Sequence, residues 1–98
     1  MDIIKNKVDK ELTIALVGRL DTTTAPQLET EIKSSLDDVD SLVLDFEKLE
    51  YVSSAGLRVI LMAQKLMGKK NGMNLKNVSA NIMEVFDITG FSDILTFA

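Results

Sequence analysis

The chain contains no cysteine and no histidine. Without cysteine there can be no disulfide and no thiolate nucleophile, a pattern that suits a reducing compartment. Without histidine the usual general base at neutral pH and the commonest metal ligand are missing. Ser-His-Asp and Cys-His catalysis are therefore excluded, and no pair of carboxylates is spaced for acid–base work. The chain is expected to be no enzyme, with no catalytic residues, no metal and no cofactor. Long apolar runs are lacking too: the longest, Val59 to Ala63, falls far short of the about 20 residues a membrane-spanning helix needs. Met1 to Lys7 lack a hydrophobic signal region, so a cytoplasmic protein with no membrane partner is expected. Clustered bases are scarce, since 11 Lys and Arg stand against 15 Asp and Glu for a net charge of −4, and the nearest approach to a cluster is Lys69-Lys70. Phosphate contacts need such clusters, and nucleic acid is not an expected partner.

The 98 residues, 46% apolar and 27% charged, are enough for one core, and residues 1–98 read as one domain without repeats or linkers. Ile3, Ile4 and Val8 suggest a strand, Asp9-Lys10-Glu11 a turn, and Leu12, Ile14 and Leu16 a second strand of period two, so the chain opens on a hairpin. A helix follows Asp21, with Thr24 as N-cap, Pro26 in the first turn and Gln27 placed to complete a capping box. Leu28, Ile32 and Leu36 mark its core stripe. Leu42 to Phe46 form a central strand, and Glu47 to Val52 a loop. A strongly apolar helix then runs from the Ser53-Ser54 pair to near Gly68. Lys69 to Gly72 form a turn, and Met73, Leu75 and Val78 a weaker strand. Ser79 caps a third helix carrying Ile82, Val85 and Phe86, which Gly90 ends as a left-handed residue. Phe91, Ile94, Leu95 and Phe97 pack a last short helix or turn onto the core. This is an α/β pattern in the order β-β-α-β-α-β-α. It predicts a two-layer sandwich, a mixed sheet of four to five strands with three to four helices on one side.

Tyr51-Val52-Ser53-Ser54-Ala55-Gly56-Leu57 places two hydroxyls where the chain enters a helix. The first turn of that helix has unpaired N–H groups and a partial positive charge, so it favours anions. A phosphate on either serine would be stabilised locally while changing the outward charge by about −1.5 to −2. Serine is also a preferred N-cap, which is the other reading of the pair. At 100° per residue, Val59, Ile60, Ala63, Leu66 and Met67 share one arc, the expected core face. Leu57, Leu61 and Met62 fall outside it, beside Arg58, Gln64 and Lys65. Leucine and methionine ringed by polar groups make either a partner surface or a face covered by another element.

These residues and their order resemble the STAS domain family, named for sulfate transporters and anti-sigma-factor antagonists, along nearly the whole chain. Gly18-Arg19-Leu20-Asp21 is similar to the family's Gly-x-Leu-Asp turn and Leu42 to Phe46 to its central strand. Ser54-Ala55-Gly56-Leu57 resembles its Ser-x-Gly-Leu phosphorylation motif, and Phe86 to Phe91 its helix-ending Phe-x-x-x-Gly-hydrophobic element. The resemblance implies an STAS-like sandwich and an anti-sigma-factor antagonist. Such a protein binds an anti-sigma serine kinase, frees a sigma factor, and is switched off by phosphorylation at Ser54. A metal-dependent serine phosphatase would restore it, and the free chain would be a monomer. Many relatives carry aspartate immediately before the acceptor. Here Ser53 stands in its place and is a second possible site. The partner-binding residues implied are Asp21, Thr22, Ser53, Ser54, Ala55, Gly56, Leu57, Arg58, Leu61 and Met62. Asp21 has two readings, contact with a partner cation or capping of the helix after Thr22-Thr23-Thr24. Asp45 and Glu47 read as solvated charges at a strand end. The alternative, from another functional class, is a ligand-sensing or transporter-associated STAS module that is never phosphorylated.

Overall fold

The computed structural model describes residues 1–98. A hairpin of β1 (Asp2–Val8) and β2 (Glu11–Leu20) opens the chain, followed by α1 (Ala25–Ser35), β3 (Ser41–Val52), α2 (Ser54–Met67), β4 (Met73–Lys76), α3 (Ala80–Thr89) and a two-residue β5 (Thr96–Phe97). The five strands lie in the order β1-β2-β3-β4-β5, the hairpin antiparallel and the remaining pairs parallel. Every crossover therefore moves one strand further in the same direction, and right-handed crossovers put all three helices on one face. The period-two strands bury that face: Leu12, Ile14 and Leu16 of β2, Leu42, Leu44 and Phe46 of β3, and Met73 and Leu75 of β4. Their alternates Thr13, Ala15, Val17, Val43, Asp45, Asn74 and Lys76 are half-buried on the uncovered face.

Four expectations change. Glu47 to Val52 is not a loop but the second half of β3, whose register against β2 shifts twice, between Ala15 and Val17 and between Gly18 and Arg19. The shifts turn the buried spacing of β3 from two to three (Phe46, Leu49, Val52), which hides the strand from a period-two search. Gly18 sits at the second shift with φ +107°, a conformation that side-chain-bearing residues rarely adopt. The Thr24–Gln27 capping box does not form, because the Thr24 hydroxyl is committed to the turn before the helix. The chain after α3 makes a 3₁₀ turn, Phe91–Asp93, and then adds β5 to the sheet edge. Phe91 and Phe97 close on Phe86 at centroid distances of 6.5 and 5.9 Å, and Leu95 is buried, whereas Ile94 stays exposed. Val78 lies just past β4 and is half-buried. Ser79 caps α3 by accepting from the Ile82 N–H, and Gly90 ends it at φ +80°.

Candidate functional site

The carboxyl ends of β2 and β3 bring the two sequence motifs together. Leu20 pairs with Val52, and the Ser53 N–H donates to the Leu20 carbonyl at 2.8 Å. Chain entry into α2 is thus pinned to the turn that follows β2. Gly56 makes the fit tighter still: a Cβ built there would lie 2.6 Å from Leu20 Cγ and 3.0 Å from the Leu20 carbonyl oxygen. The first turn of α2 rests directly on the end of β2, so this position has no room for a side chain. Sequence spacing alone does not show this contact, although a glycine at the third residue of a helix has a helix-propensity cost that points to a packing reason.

The serine pair divides its roles. Ser53 is the N-cap, its Oγ accepting from the Gly56 N–H at 3.3 Å and its carbonyl from the Leu57 N–H at 2.9 Å. Ser54 is the first residue of α2 and is exposed. At that position the Ser54 and Ala55 N–H groups have no intrahelical acceptor, which leaves the positive end of the helix facing solvent beside the Ser54 hydroxyl.

Asp21 lies across from the serines and organises its own turn. Its Oδ1 accepts from the Thr23 and Thr24 N–H groups at 3.0 and 3.1 Å. The Thr24 hydroxyl accepts from the Asp21 N–H at 2.9 Å and donates to the Arg19 carbonyl at 2.8 Å. The hydrogen bond from the Thr24 N–H, with those from Thr23 and the Thr24 hydroxyl and the nearby Arg19 charge, holds the Asp21 carboxyl below the usual carboxylate value, outweighing the desolvation that raises it. The turn-forming role of Asp21 is therefore present. Its Oδ2 lies 3.9 Å from Arg19 Nε, and the Arg19 guanidinium stands 4.3 Å from the centroid of the Tyr51 ring.

On α2 two of the expected faces exchange. Leu57, expected on the outward arc, is 8% exposed and joins the core. Leu66, expected inward, is 38% exposed. The two lie on opposite flanks of the buried arc formed by Gly56, Val59, Ile60, Ala63 and Met67. Leu57 is on the flank away from α1, where α2 packs along β4. Leu66 is on the other flank, outside the groove of about 350 Å³ that residues of α1 line with Ala55, Arg58 and Val59. Thr22 opens that groove. Leu61 and Met62 are half-buried and Arg58 is exposed. With Lys65, Leu66 and Lys69 they line a second, shallow groove of about 390 Å³ along the outward face. Lys65, Leu66 and Lys69 were not anticipated as surface partners. Their signal is a charge segregation: no Asp or Glu occurs between Glu50 and Glu84, a stretch that carries Arg58, Lys65, Lys69, Lys70 and Lys76. No three carboxylates gather in a way that could hold a metal ion, and no helix is long and apolar enough to cross a membrane.

Comparison with known proteins agrees with this architecture. The family model described as Mlab, STAS domain, matches residues 4–96. BtrV of Bordetella bronchiseptica is 36% identical over 100 residues, spanning 100% of this chain and 86% of its own length. The anti-sigma-B factor antagonist of Bacillus subtilis is 30% identical over 96 residues, covering 97% of this chain and 86% of that protein. The anti-sigma factor antagonist SpoIIAA, a Bacillus cell fate determinant, shares the fold in an unphosphorylated and a phosphorylated form. Its unphosphorylated form superposes with a TM-score of 0.78 at 21% identity, covering 99% of this chain and 87% of that one. Its phosphorylated form superposes with a TM-score of 0.77 at 22% identity, covering 99% and 91%. The chain belongs to the STAS domain family, among the anti-sigma factor antagonists.

Proposed function

We propose that this protein binds an anti-sigma serine kinase, thereby frees a sigma factor, and is switched off by phosphorylation of Ser54. The observation that carries the reading is the division of labour at the start of α2: Ser53 is occupied in capping, while the Ser54 hydroxyl is exposed at the positive end of the helix. The existence of SpoIIAA, a protein of the same fold, in a phosphorylated form supports it.

In the proposed cycle the kinase docks over the Ser54 end of α2 and brings ATP and magnesium. The Ser54 Oγ attacks the γ-phosphorus, its proton leaves, the bond to the β-phosphate oxygen breaks, and ADP departs. The ester carries about −1.5 to −2 charges at neutral pH. The unpaired first-turn N–H groups and the helix dipole accommodate it within the folded chain. At the interface the same dianion must be desolvated or set against whatever charge the kinase presents. Like-charge juxtaposition there costs several kcal/mol, with each ~1.4 kcal/mol worth tenfold in affinity. One phosphate can therefore release the complex while the fold stays as it is. A metal-dependent serine phosphatase would restore the hydroxyl by hydrolysis, water replacing the serine oxygen on phosphorus. Asp21, Thr22, Ala55, Arg58, Leu61 and Met62 supply the surrounding contact surface. Ser53, Gly56 and Leu57 shape it from beneath. The free chain is proposed to act as a cytoplasmic monomer.

Incubation with a cognate anti-sigma kinase and ATP, read by intact mass, tests the switch. The wild-type chain and Ser53→Ala should each gain one phosphate and Ser54→Ala none. Ser54→Ala should still bind the kinase, while Ser54→Asp should bind at least tenfold more weakly, the equivalent of about 1.4 kcal/mol. Phosphate on Ser53, or tight binding by Ser54→Asp, would show the reading to be wrong.

A further inference from the structure

The charge distribution of this chain is lopsided in a way the phosphorylation switch does not require. The net charge is −4, yet the stretch between Glu50 and Glu84 holds five bases and no acid. Most basic residues elsewhere are engaged. Lys5, Lys7, Lys10, Arg19 and Lys33 stand in ion pairs, and within the stretch Lys70 donates to the Leu36 and Val39 carbonyls at 2.8 and 2.7 Å. Of the others, Arg58, Lys65 and Lys69 converge on one groove, the outward face of α2, around Leu61, Met62 and Leu66. A solvated helix surface in an acidic protein would ordinarily alternate the two signs. Here α2 contains no carboxylate at all, and three cations frame a strip of leucine and methionine.

Resting on the reading that this chain binds an anti-sigma kinase, we infer that the kinase docks along this whole face, from Arg58 down to Lys69, through an apolar ridge flanked by carboxylates. Charge complementarity selects the occupant. A partner bearing acids meets three cations that lack any intramolecular carboxylate, and its apolar ridge covers Leu61, Met62 and Leu66. A nucleic acid or an anionic bilayer fits less well, because the chain as a whole carries a net charge of −4 and repels an extended polyanion. The placement also gives the phosphate a sign to work against. Arg58 lies one turn after Ser54, at the i,i+4 spacing where helix side chains meet. A phosphate on Ser54 attracts Arg58 to itself and sets a dianion at the head of a surface that the acidic partner reads as positive. The face loses one cation and gains a repulsive group in a single step.

The test uses the full chain and the kinase that phosphorylates it, with affinities measured by calorimetry at roughly 50 and 300 mM salt, where the Debye length shortens from beyond a typical ion-pair network to within it. Lys65→Glu/Lys69→Glu should lose roughly tenfold or more in affinity at the lower salt, and the gap to wild type should narrow at the higher. Lys65→Arg/Lys69→Arg should bind as wild type, and Leu66→Ser should weaken binding about equally at both salts. All three variants alter exposed side chains and should melt with the wild-type chain. A Glu double variant that binds like wild type overturns the inference while leaving kinase recognition intact. So does wild-type binding to phosphatidylglycerol vesicles or duplex DNA that the Glu variant loses while its kinase affinity stays unchanged. If no anti-sigma kinase binds or phosphorylates the wild-type chain, the functional reading falls and this inference with it.

Discussion

Replacing Gly56 by alanine tests the contact that ties the candidate site to the sheet. The new Cβ would stand 2.6 Å from Leu20 Cγ and 3.0 Å from Leu20 Cδ2 and the Leu20 carbonyl oxygen. Carbon atoms rest at about 3.5–4.0 Å, so the overlap with Cγ is about 1 Å. The atom struck is a branch point of a side chain that is 0% exposed, and rotating the leucine tip does not move it away. Overpacking of this kind costs about 1–3 kcal/mol. Alanine regains up to about 1 kcal/mol of helix propensity over glycine, less in a first turn where few backbone bonds depend on it. The expected balance is a loss of about 1–2 kcal/mol, seen as a lower urea midpoint with an unchanged slope, and a melting temperature down by about 4–8 °C per kcal/mol for a domain of this size. A double-mutant cycle isolates the clash. Leu20→Ala alone should cost about 2–5 kcal/mol through the cavity it leaves. In that background Gly56→Ala should cost clearly less than in wild type, because Leu20 Cγ and Cδ2 are gone and only the carbonyl oxygen of residue 20 remains close. If Gly56→Ala is as stable as wild type, or if the two substitutions add within about 0.5 kcal/mol, the close approach is not what makes glycine necessary here.

Further outcomes concern the groups around that contact. Ser53→Ala removes the cap of α2 and should lower stability by about 1 kcal/mol in urea unfolding. The Asp21 carboxyl titrates below its unfolded value, so its stabilising contribution is present above about pH 4 and is lost as pH falls through the folded value. Asp21→Asn should accordingly flatten the acid limb of stability against pH relative to wild type. Unfolding midpoints from about pH 2 to 7 check this, and equal acid limbs would refute it.

Much of this molecule could be read without coordinates because its core strands alternate cleanly. Ile14 and Leu16, Leu42 and Leu44, and Met73 and Leu75 all fall at spacing two, and the stop signals at Gly72 and Gly90 coincide with positive φ, whereas Gly18, also at positive φ, lies inside β2. The reading failed where tertiary geometry overrode a local period. The two register shifts stretch the repeat of β3 to three residues, so its second half looked like a loop. On α2, periodicity located the centre of the buried arc but not its edges. Those depend on neighbours of unequal length, so Leu57 and Leu66 changed places. Thr24 looked like a helix cap by residue type, but the competing hydrogen bonds to Asp21 and Arg19 claimed its hydroxyl. β5 is two residues long, too short for a period-two pattern to show. Of the candidate site, the serine pair and the Asp21 turn were legible as motifs. Their meeting through Leu20 and Gly56 depends on the parallel register of β2 and β3, which no single segment records.

Because the spatial order of the strands repeats their order along the chain, no strand has to be threaded between two that are already joined. A chain emerging from the ribosome with its amino end first can lengthen the sheet by one strand at a time, each docking on a neighbour synthesised earlier. The last edge to be paired is that of β4, which Thr96 and Phe97 cover, while β1 keeps its outer edge free.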